Sequence, residues 1–110
     1  MVLALNRENV VGMGVIQGYH TTRLRGIGEF MTYIHQDYHG KGLGTFLTTT
    51  ILEEARRKGF HRVSLSVVAD NSPAIKVYER AGFVQEGRWK DSFLDDHSKY
   101  HDVLTMAIIL

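Results

Sequence analysis

The chain has 110 residues, of which 44% are hydrophobic and 23% are charged, and its formal net charge at pH 7 is +1. This length and balance predict one globular domain, and the near-neutral charge gives no reason to expect nucleic acid as a partner. The absence of cysteine excludes disulfides and thiolate metal ligands. The N-terminus lacks the pattern of a secretory signal, and no apolar run has the length of a membrane helix. We therefore expect a soluble, cytoplasmic domain.

The first third of the chain predicts three strands. Two short apolar runs, 2–5 and 10–17, flank the turn-like sequence NREN and predict a hairpin. The polar and basic stretch 18–26 is typical of a loop. The segment EFMTYI, residues 29–34, is rich in aromatic and β-branched residues, which favours a third strand.

A helical period follows the third strand. Apolar residues recur every four positions at Leu43, Leu47, Ile51 and Ala55, which predicts a helix with one apolar face. Gly59 fits the end of this helix, because glycine commonly follows the last helical turn.

A strand and a second helix come next. The segment 62–68 alternates apolar and small polar residues, as a strand does. In DNSPAIKVYERAGF, Ser72 suits the N-cap of a helix, Pro73 its first position and Gly82 its end.

The closing segments 83–90 and 100–110 predict two strands joined through the turn-like sequence DDHS. The predicted order is β-β-β-α-β-α-β-β. A strand–helix–strand unit around the first helix implies a right-handed crossover and a parallel strand pair. The sequence therefore predicts an α/β (α+β) fold with a mixed, mostly antiparallel sheet.

The sequence HGKGLGT, residues 39–45, places three glycines at the start of the first helix. A helix N-terminus presents free N–H groups and a partial positive charge, which suit an anion. Gly40, Gly42 and Gly44 have no Cβ to keep a phosphate from the main chain, and Lys41 adds a positive charge. The spacing is not that of a P-loop. Two interpretations stay open on these residues alone: a phosphate-binding turn and a tight structural turn.

Three segments of the sequence resemble motifs of the Gcn5-related N-acetyltransferase (GNAT) superfamily. The acyl-CoA motif of that family, [RQ]-x-x-G-x-[GA] after a strand, falls on His39, Gly42 and Gly44, with His39 in place of the usual Arg or Gln. The segment EGRWKDSFLDDHSKYHDVLTMAII resembles the E-G…D-G-x-Y-x-D…M ending of one branch. The family block N-x-x-A-x-x-x-Y-x-x-x-G-F is matched at Asn71, Ala74, Tyr78, Gly82 and Phe83.

The resemblance implies that residues 1–110 form a single GNAT-like acetyl-CoA-binding domain. It also implies an acyl-CoA N-acyltransferase fold without the usual first strand and two helices, which form a wall of the acceptor site in the family. Three consequences are open: the domain forms a homodimer through that region, it is part of a longer gene product, or its acceptor site is unusually open.

The resemblance further implies which residues bind acetyl-CoA. Backbone N–H groups over 39–45 would bind the pyrophosphate, and the end of the third strand would pair with the pantetheine arm. Asn71 would contact the cofactor arm where the chain enters the second helix. The implied cofactor-binding residues are Tyr33, Ile34, His39, Gly40, Lys41, Gly42, Leu43, Gly44, Thr45 and Asn71.

Two catalytic roles are implied as well. Tyr78 would protonate the departing thiolate, since a tyrosine hydroxyl within hydrogen-bond reach can act as a general acid. Glu29 is the implied base for the attacking amine, and His35 and His39 are its rivals because histidine titrates in the useful range. On the residues alone, a tyrosine at position 78 is more often a packing residue. Glu29 is on the same basis equally a partner for Arg23 or Arg25.

We therefore expect an N-acetyltransferase that moves acetyl from acetyl-CoA directly to a primary amine of a small molecule or a protein N-terminus. The alternatives are a non-catalytic acyl-CoA-binding or sensing module and a nucleotide-phosphate-binding regulatory domain. We expect no membrane partner, and the six histidines lack metal-ligand spacing. Trp89, Phe93 and Tyr100 are expected to pack the last strands, or alternatively to line an acceptor pocket.

Overall fold

A computed structural model describes residues 2–6, 9–19, 22–35, 38–40 and 42–110. Over these residues the chain forms six strands, two α-helices and a short 3₁₀ turn at Thr22–Leu24. Their bounds are β1 Val2–Asn6, β2 Asn9–Gly18, β3 Ile27–Ile34, α1 Leu43–Arg57, β4 Arg62–Val68, α2 Ser72–Ala81, β5 Val84–Leu94 and β6 Tyr100–Ile109. The predicted order of elements is confirmed.

The strands form one sheet in the order β1-β2-β3-β4-β6-β5. The pairs are antiparallel except β3 with β4, which are parallel and joined through α1. This is the mixed, mostly antiparallel sheet that the sequence predicts, with its one parallel pair at the predicted crossover.

Both helices pack against the same hydrophobic core on one face of the sheet. The strands contribute alternate residues to it, and α1 contributes the predicted apolar stripe, in which Leu47 and Ile51 are almost fully buried. Burying each such side chain contributes roughly 1.5–3 kcal/mol. The strand residues of this core are Phe30, Val63, Leu65, Val67, Leu104 and Met106. On the opposite face of β3, Glu29, Met31 and Tyr33 are exposed.

The start of α2 differs by one residue from the prediction. The N-cap is Asn71, whose Oδ1 accepts a hydrogen bond from the Ala74 N–H at 3.3 Å, and Ser72 is the first helical residue. Asn and Ser cap helices about equally well, so composition alone does not choose between them. The backbone places Asn71 where its side chain reaches the third helical N–H.

Strand β5 is longer than predicted, whereas β6 begins as predicted at Tyr100 and ends one residue early, at Ile109. β5 continues to Leu94 through irregular pairing with β6 between Trp89 and Phe93. Trp89, Phe93 and Tyr100 are 59%, 47% and 59% exposed, so they contribute little to the buried core. The Phe93 ring of β5 nevertheless lies against that of His101 on β6, with ring centroids 6.3 Å apart. Helix α1 packs over β1, β2 and β3, which lie at the other end of the sheet from β5.

Candidate active site

Strands β3 and β4 separate beyond their first residues. Their ladder pairs Ile27–Glu29 with Arg62–Ser64, whereas the strands run on to Ile34 and Val68. Beyond that ladder, the described parts of the two facing edges share no register pairs. The sheet is therefore open between its two parallel strands at their carboxyl ends, the position where open α/β sheets bind ligands.

Alternation along β3 decides which backbone groups face this opening. The His35 N–H donates to the Val11 carbonyl oxygen of β2 at 2.8 Å. Successive residues of a strand direct their N–H and C=O groups to opposite sides, so the Tyr33 groups also face β2. The groups of Thr32 and Ile34 face the opening. Main-chain pairing, predicted at Tyr33 and Ile34, is therefore available at Ile34 and Thr32, and Tyr33 offers only its exposed side chain.

The turn between β3 and α1 presents backbone donors to open space. The first helical bond of α1 runs from the Phe46 N–H to the Gly42 carbonyl oxygen at 3.1 Å, so the N–H groups of residues 43–45 have no partner within the helix. Gly40 and Gly42 have φ angles of 77° and 79°, and a Cβ at either would meet nothing within 4 Å. This geometry suits an anion at the helix N-terminus. Lys41 lies outside the described residues.

His39 connects the glycine turn to the end of β3. Its Nε2 lies 2.9 Å from the Ile34 carbonyl oxygen. Because a carbonyl oxygen only accepts, this ring nitrogen carries the proton, and a neutral His39 has its lone pair on Nδ1. The ring thus occupies the Ile34 acceptor, and the Ile34 N–H is the group that faces the opening for pairing.

The Tyr78 side chain extends from α2 over β3. Its ring lies edge-on to those of Phe30 and Phe83, with centroid distances of 6.2 and 5.9 Å. Its hydroxyl oxygen lies 3.2 Å from Thr32 Oγ1. Gly82, at φ 108°, ends α2 so that the Phe83 N–H donates to the Tyr78 carbonyl oxygen, which sets Phe83 against the Tyr78 ring. Because Thr32 lies beyond the β3–β4 ladder, the Tyr78 hydroxyl is at the opening.

Asn71 lies at the carboxyl end of β4, opposite the glycine turn. Its Oδ1 is used by the helix cap, and its exposed side chain keeps Nδ2 as a donor. The N-termini of α1 and α2 therefore meet the opening from the ends of its two strands. Asn71, Ile34 and the glycine turn thus all lie at the carboxyl ends of β3 and β4, where the two strands have separated.

Glu29 is not brought together with Tyr78. It lies within the β3–β4 ladder, paired in register with Gln17 and Ser64, and its side chain is exposed. Side chains alternate along a strand, so Glu29 and Thr32 project to opposite faces and are separated by about 10 Å along β3. Of the rival bases, His35 lies on the Glu29 face, where its ring is 6.3 Å from that of Tyr38.

Sequence reasoning missed Thr32, the partner of the Tyr78 hydroxyl. The available signal was its position two residues after the apolar Phe30, which places both on the helix-covered face of β3. Which residue of α2 lies above Thr32 depends on how the helix docks.

A comparison with protein families establishes the family, and two relatives are similar over part of their length. Residues 1–83 match the model of the Acetyltransferase (GNAT) family, so the chain belongs to that family. A mycothiol acetyltransferase from Corynebacterium aurimucosum is 42% identical over 66 residues, which are 59% of this chain and 22% of that protein. An L-methionine sulfoximine/L-methionine sulfone acetyltransferase from Salmonella typhimurium is 33% identical over 85 residues, covering 64% of this chain and 50% of that protein. The chain thus spans between about a quarter and a half of the length of these curated relatives.

Solved structures share the fold. A GNAT-family acetyltransferase from Streptococcus pneumoniae superposes with a TM-score of 0.92 at 29% identity, over 98% of this chain and 65% of that one. A GNAT phosphinothricin acetyltransferase from Sinorhizobium meliloti, solved in complex with acetyl-CoA, gives a TM-score of 0.88 at 23% identity, over 98% of this chain and 59% of that one. The fold is therefore that of the GNAT acyl-CoA N-acyltransferases. Among the described residues, no helix is both long and apolar enough to cross a membrane.

Proposed function

We propose that the protein is an acetyl-CoA-dependent N-acetyltransferase that transfers acetyl directly to a primary amine of a small molecule or a protein N-terminus. The observation that carries the proposal is the opening between β3 and β4, with the glycine turn at one end and the Tyr78 hydroxyl beside it. Relatives named mycothiol acetyltransferase and L-methionine sulfoximine/L-methionine sulfone acetyltransferase support the reaction class.

The cofactor-binding assignment rests on donors that point into the opening. The N–H groups of residues 43–45 and the positive end of α1 suit the pyrophosphate of acetyl-CoA. The Ile34 and Thr32 main chain supplies an open strand edge for the amides of the pantetheine arm, and Asn71 Nδ2 supplies a further donor.

The proton transfers are assigned to two residues on opposite faces of the sheet. When an amine attacks the thioester, the C–N bond forms, the C–S bond breaks and the leaving sulfur needs a proton. The Tyr78 hydroxyl is the acid we assign to that sulfur. Glu29 is the base we assign to the amine, acting through water because it lies about three residues along β3 from Thr32. Because the opening connects the two faces of the sheet, an amine on the Glu29 side would have access to the acetyl group of bound acetyl-CoA.

Calorimetric titration of the purified chain with acetyl-CoA, CoA and ATP in parallel tests the binding assignment. We expect micromolar affinity for acetyl-CoA and CoA and none for ATP. Thiol release is then followed with a panel of primary amines that includes methionine sulfoximine. Binding without turnover of any amine would favour the non-catalytic acyl-CoA module, and binding of ATP alone the nucleotide-binding domain. Light scattering on the same sample tests the predicted homodimer; the cytoplasmic location stays a prediction.

A further inference from the structure

The imidazole of His101, on β6, lies between two carboxylates from distant parts of the chain. Its Nδ1 is 2.6 Å from Asp70 Oδ2, and its Nε2 is 2.6 Å from Asp95 Oδ2. Asp70 belongs to the connection from β4 to α2, and Asp95 to the turn from β5 to β6. The side chain of His101 is only 16% exposed. One ring therefore bridges the start of α2 and the tip of the last hairpin.

Both contacts form only when the ring is protonated. A neutral imidazole has one N–H and one lone pair, whereas ionised carboxylates only accept, so the imidazolium alone donates to both. The hydrogen bonds from His101 to Asp95 and then to Asp70 raise the pKa of His101 above its usual range. The same bond to His101, with backbone donors from the turn, lowers the pKa of Asp95.

Deprotonation breaks the contact to Asp70 in preference to the one to Asp95. Asp95 is held in place because its Oδ1 accepts from the N–H groups of His97 and Lys99, at 2.8 and 2.9 Å. The Asp95 side chain is 25% exposed and that of Asp70 is 72% exposed. The remaining ring proton therefore stays on Nε2, and the Nδ1 lone pair of a neutral His101 faces, and repels, the Asp70 carboxylate.

The other groups around the ring leave this pairing intact. The apolar ring of Phe93, on β5, lies beside the imidazole, with the two ring centroids 6.3 Å apart. Asp102, next to His101 on β6, accepts instead from Arg88 Nε and the Asp91 N–H, at 2.7 and 3.0 Å. The further charged side chains of the turn belong to Asp96 and Lys99. In the part of the chain that the structure describes, no cluster of His, Asp and Glu is suited to a metal ion.

Asp70 lies directly before the cap of α2. The neighbouring Ala69 N–H donates to the Asp102 carbonyl oxygen at 2.9 Å, and the Asn71 N–H donates to the Val68 carbonyl oxygen at 3.0 Å. The connection is thus attached to β6 by one backbone bond and by the Asp70 side chain. Releasing that side chain loosens the segment that places Asn71 at the opening.

We propose that His101 is a positioning residue whose protonated ring holds Asp70, and with it Asn71, in the arrangement that binds the acetyl-CoA arm. The part of this inference that concerns the arm rests on the proposed function. Affinity for acetyl-CoA then falls as the pH rises and the ring loses its proton, because a smaller fraction of molecules has the start of α2 in place.

The first experiment needs no ligand. Nuclear magnetic resonance follows the His101 ring and the Asn71 and Ala74 amides from pH 5 to 9, in the wild type and in Asp70→Asn. We expect the His101 ring to titrate above the usual pKa of about 6.5. The chemical shifts of the two amides should change with the same midpoint, and Asp70→Asn should lower that midpoint. Asp96→Asn, next to Asp95 in the turn from β5 to β6, is the matched control and leaves that midpoint unchanged. If His101 titrates without any response of the Asn71 and Ala74 amides, the positioning role is wrong.

The second experiment measures acetyl-CoA affinity over the same pH range. We expect the wild type to weaken by roughly threefold across the His101 midpoint. His101→Gln removes that step, and His97→Gln, whose backbone N–H still reaches Asp95, keeps it. An identical pH profile in the wild type and His101→Gln would overturn the link to the cofactor. If acetyl-CoA does not bind at any pH, the proposed function fails, while the amide titration still decides whether His101 holds the start of α2.

Discussion

The hydroxyl of Tyr78 lies 3.2 Å from Thr32 Oγ1, and this contact joins α2 to the part of β3 that has separated from β4. It holds the partly buried tyrosine side chain with its hydroxyl at the opening of the sheet. A tyrosine held in this way can serve as an acid toward a group bound between the strands, or it can simply attach the helix to the sheet.

Substitution on each side of this contact separates the two roles. We expect Tyr78→Phe to lower the rate of acetyl transfer by roughly 100-fold, the low end for a general acid, because a thiolate is already a fair leaving group. Thr32→Val removes the same hydrogen bond, worth about 1 kcal/mol, but keeps the tyrosine hydroxyl. We therefore expect Thr32→Val to reduce the melting temperature about as much and the rate far less. Steady-state rates and thermal melts of both variants distinguish the two roles of Tyr78. Equal losses of rate in the two variants would assign Tyr78 a structural role.

The helices and strands of this fold were predictable because the sequence signals within each segment indicate the same secondary structure. The four-residue apolar period fixed α1, alternation fixed the exact bounds of β4, and Gly59 and Gly82 marked the helix ends. Local patterns are set by residues close in sequence, so a single chain carries them in full.

Contacts between elements were not predictable in the same way. The Thr32–Tyr78 contact joins residues 46 positions apart, and the His101–Asp70 contact joins residues 31 positions apart. The Thr32–Tyr78 contact depends on how far β3 and β4 diverge. The His101–Asp70 contact depends on how the last hairpin lies beside β4. The site residues came from a family resemblance, which marks positions but gives neither their partners nor the face on which Glu29 lies.

Gly42 offers a test of the glycine turn with an internal control. Gly42 and Gly59 lie at opposite ends of α1 with φ angles of 79° and 84°, and a Cβ at either meets nothing within 4 Å. Valine at either position carries a left-handed strain of at least about 1–2 kcal/mol. We expect Gly42→Val and Gly59→Val to lose similar stability, and only Gly42→Val to lose acetyl-CoA binding. Calorimetry and chemical denaturation measure both quantities; retained affinity in Gly42→Val would exclude the turn as the binding site.

Asn71 has a capping role and a predicted ligand role that use different atoms. Asn71→Asp keeps an oxygen for the Ala74 N–H and removes the Nδ2 donor, whereas Asn71→Ala removes both. Loss of an N-cap costs about 1 kcal/mol, so we expect only the alanine variant to be destabilised. Both variants should bind acetyl-CoA more weakly. If Asn71→Asp bound acetyl-CoA as tightly as the wild type, Asn71 would act only as the cap of α2.

The assignment of Glu29 as base predicts a change in the pH profile of the reaction. Glu29→Gln removes the proton acceptor, and we expect kcat/KM to fall by roughly 100-fold with acetyl-CoA affinity unchanged. The exposed Glu53 of α1 gives a control of the same charge change, Glu53→Gln. Rates from pH 6 to 9 test this prediction. If Glu29→Gln keeps the wild-type profile, the base is one of the histidines or solvent, and His35→Gln and His39→Gln are then compared.

The His101 bridge also predicts how stability depends on pH. Its carboxylate partners raise the pKa of His101 in the folded state. The stability it contributes is therefore fully present below the unfolded value of about 6.5 and is lost as the pH rises through the raised folded pKa. His101 and the turn amides lower the pKa of Asp95 in the folded state. The stability that Asp95 contributes to the bridge is therefore lost at acidic pH, as the pH falls through that lowered pKa.

We therefore expect the difference in unfolding free energy between the wild type and His101→Gln to be largest near pH 5–6 and to shrink toward pH 9. Urea denaturation at several pH values measures it, and His97→Gln serves as the control because its side chain lies outside the bridge. A difference that stays constant from pH 5 to 9 would mean that His101 contributes only packing. A difference that grows with pH would mean that the neutral ring is the form the fold prefers.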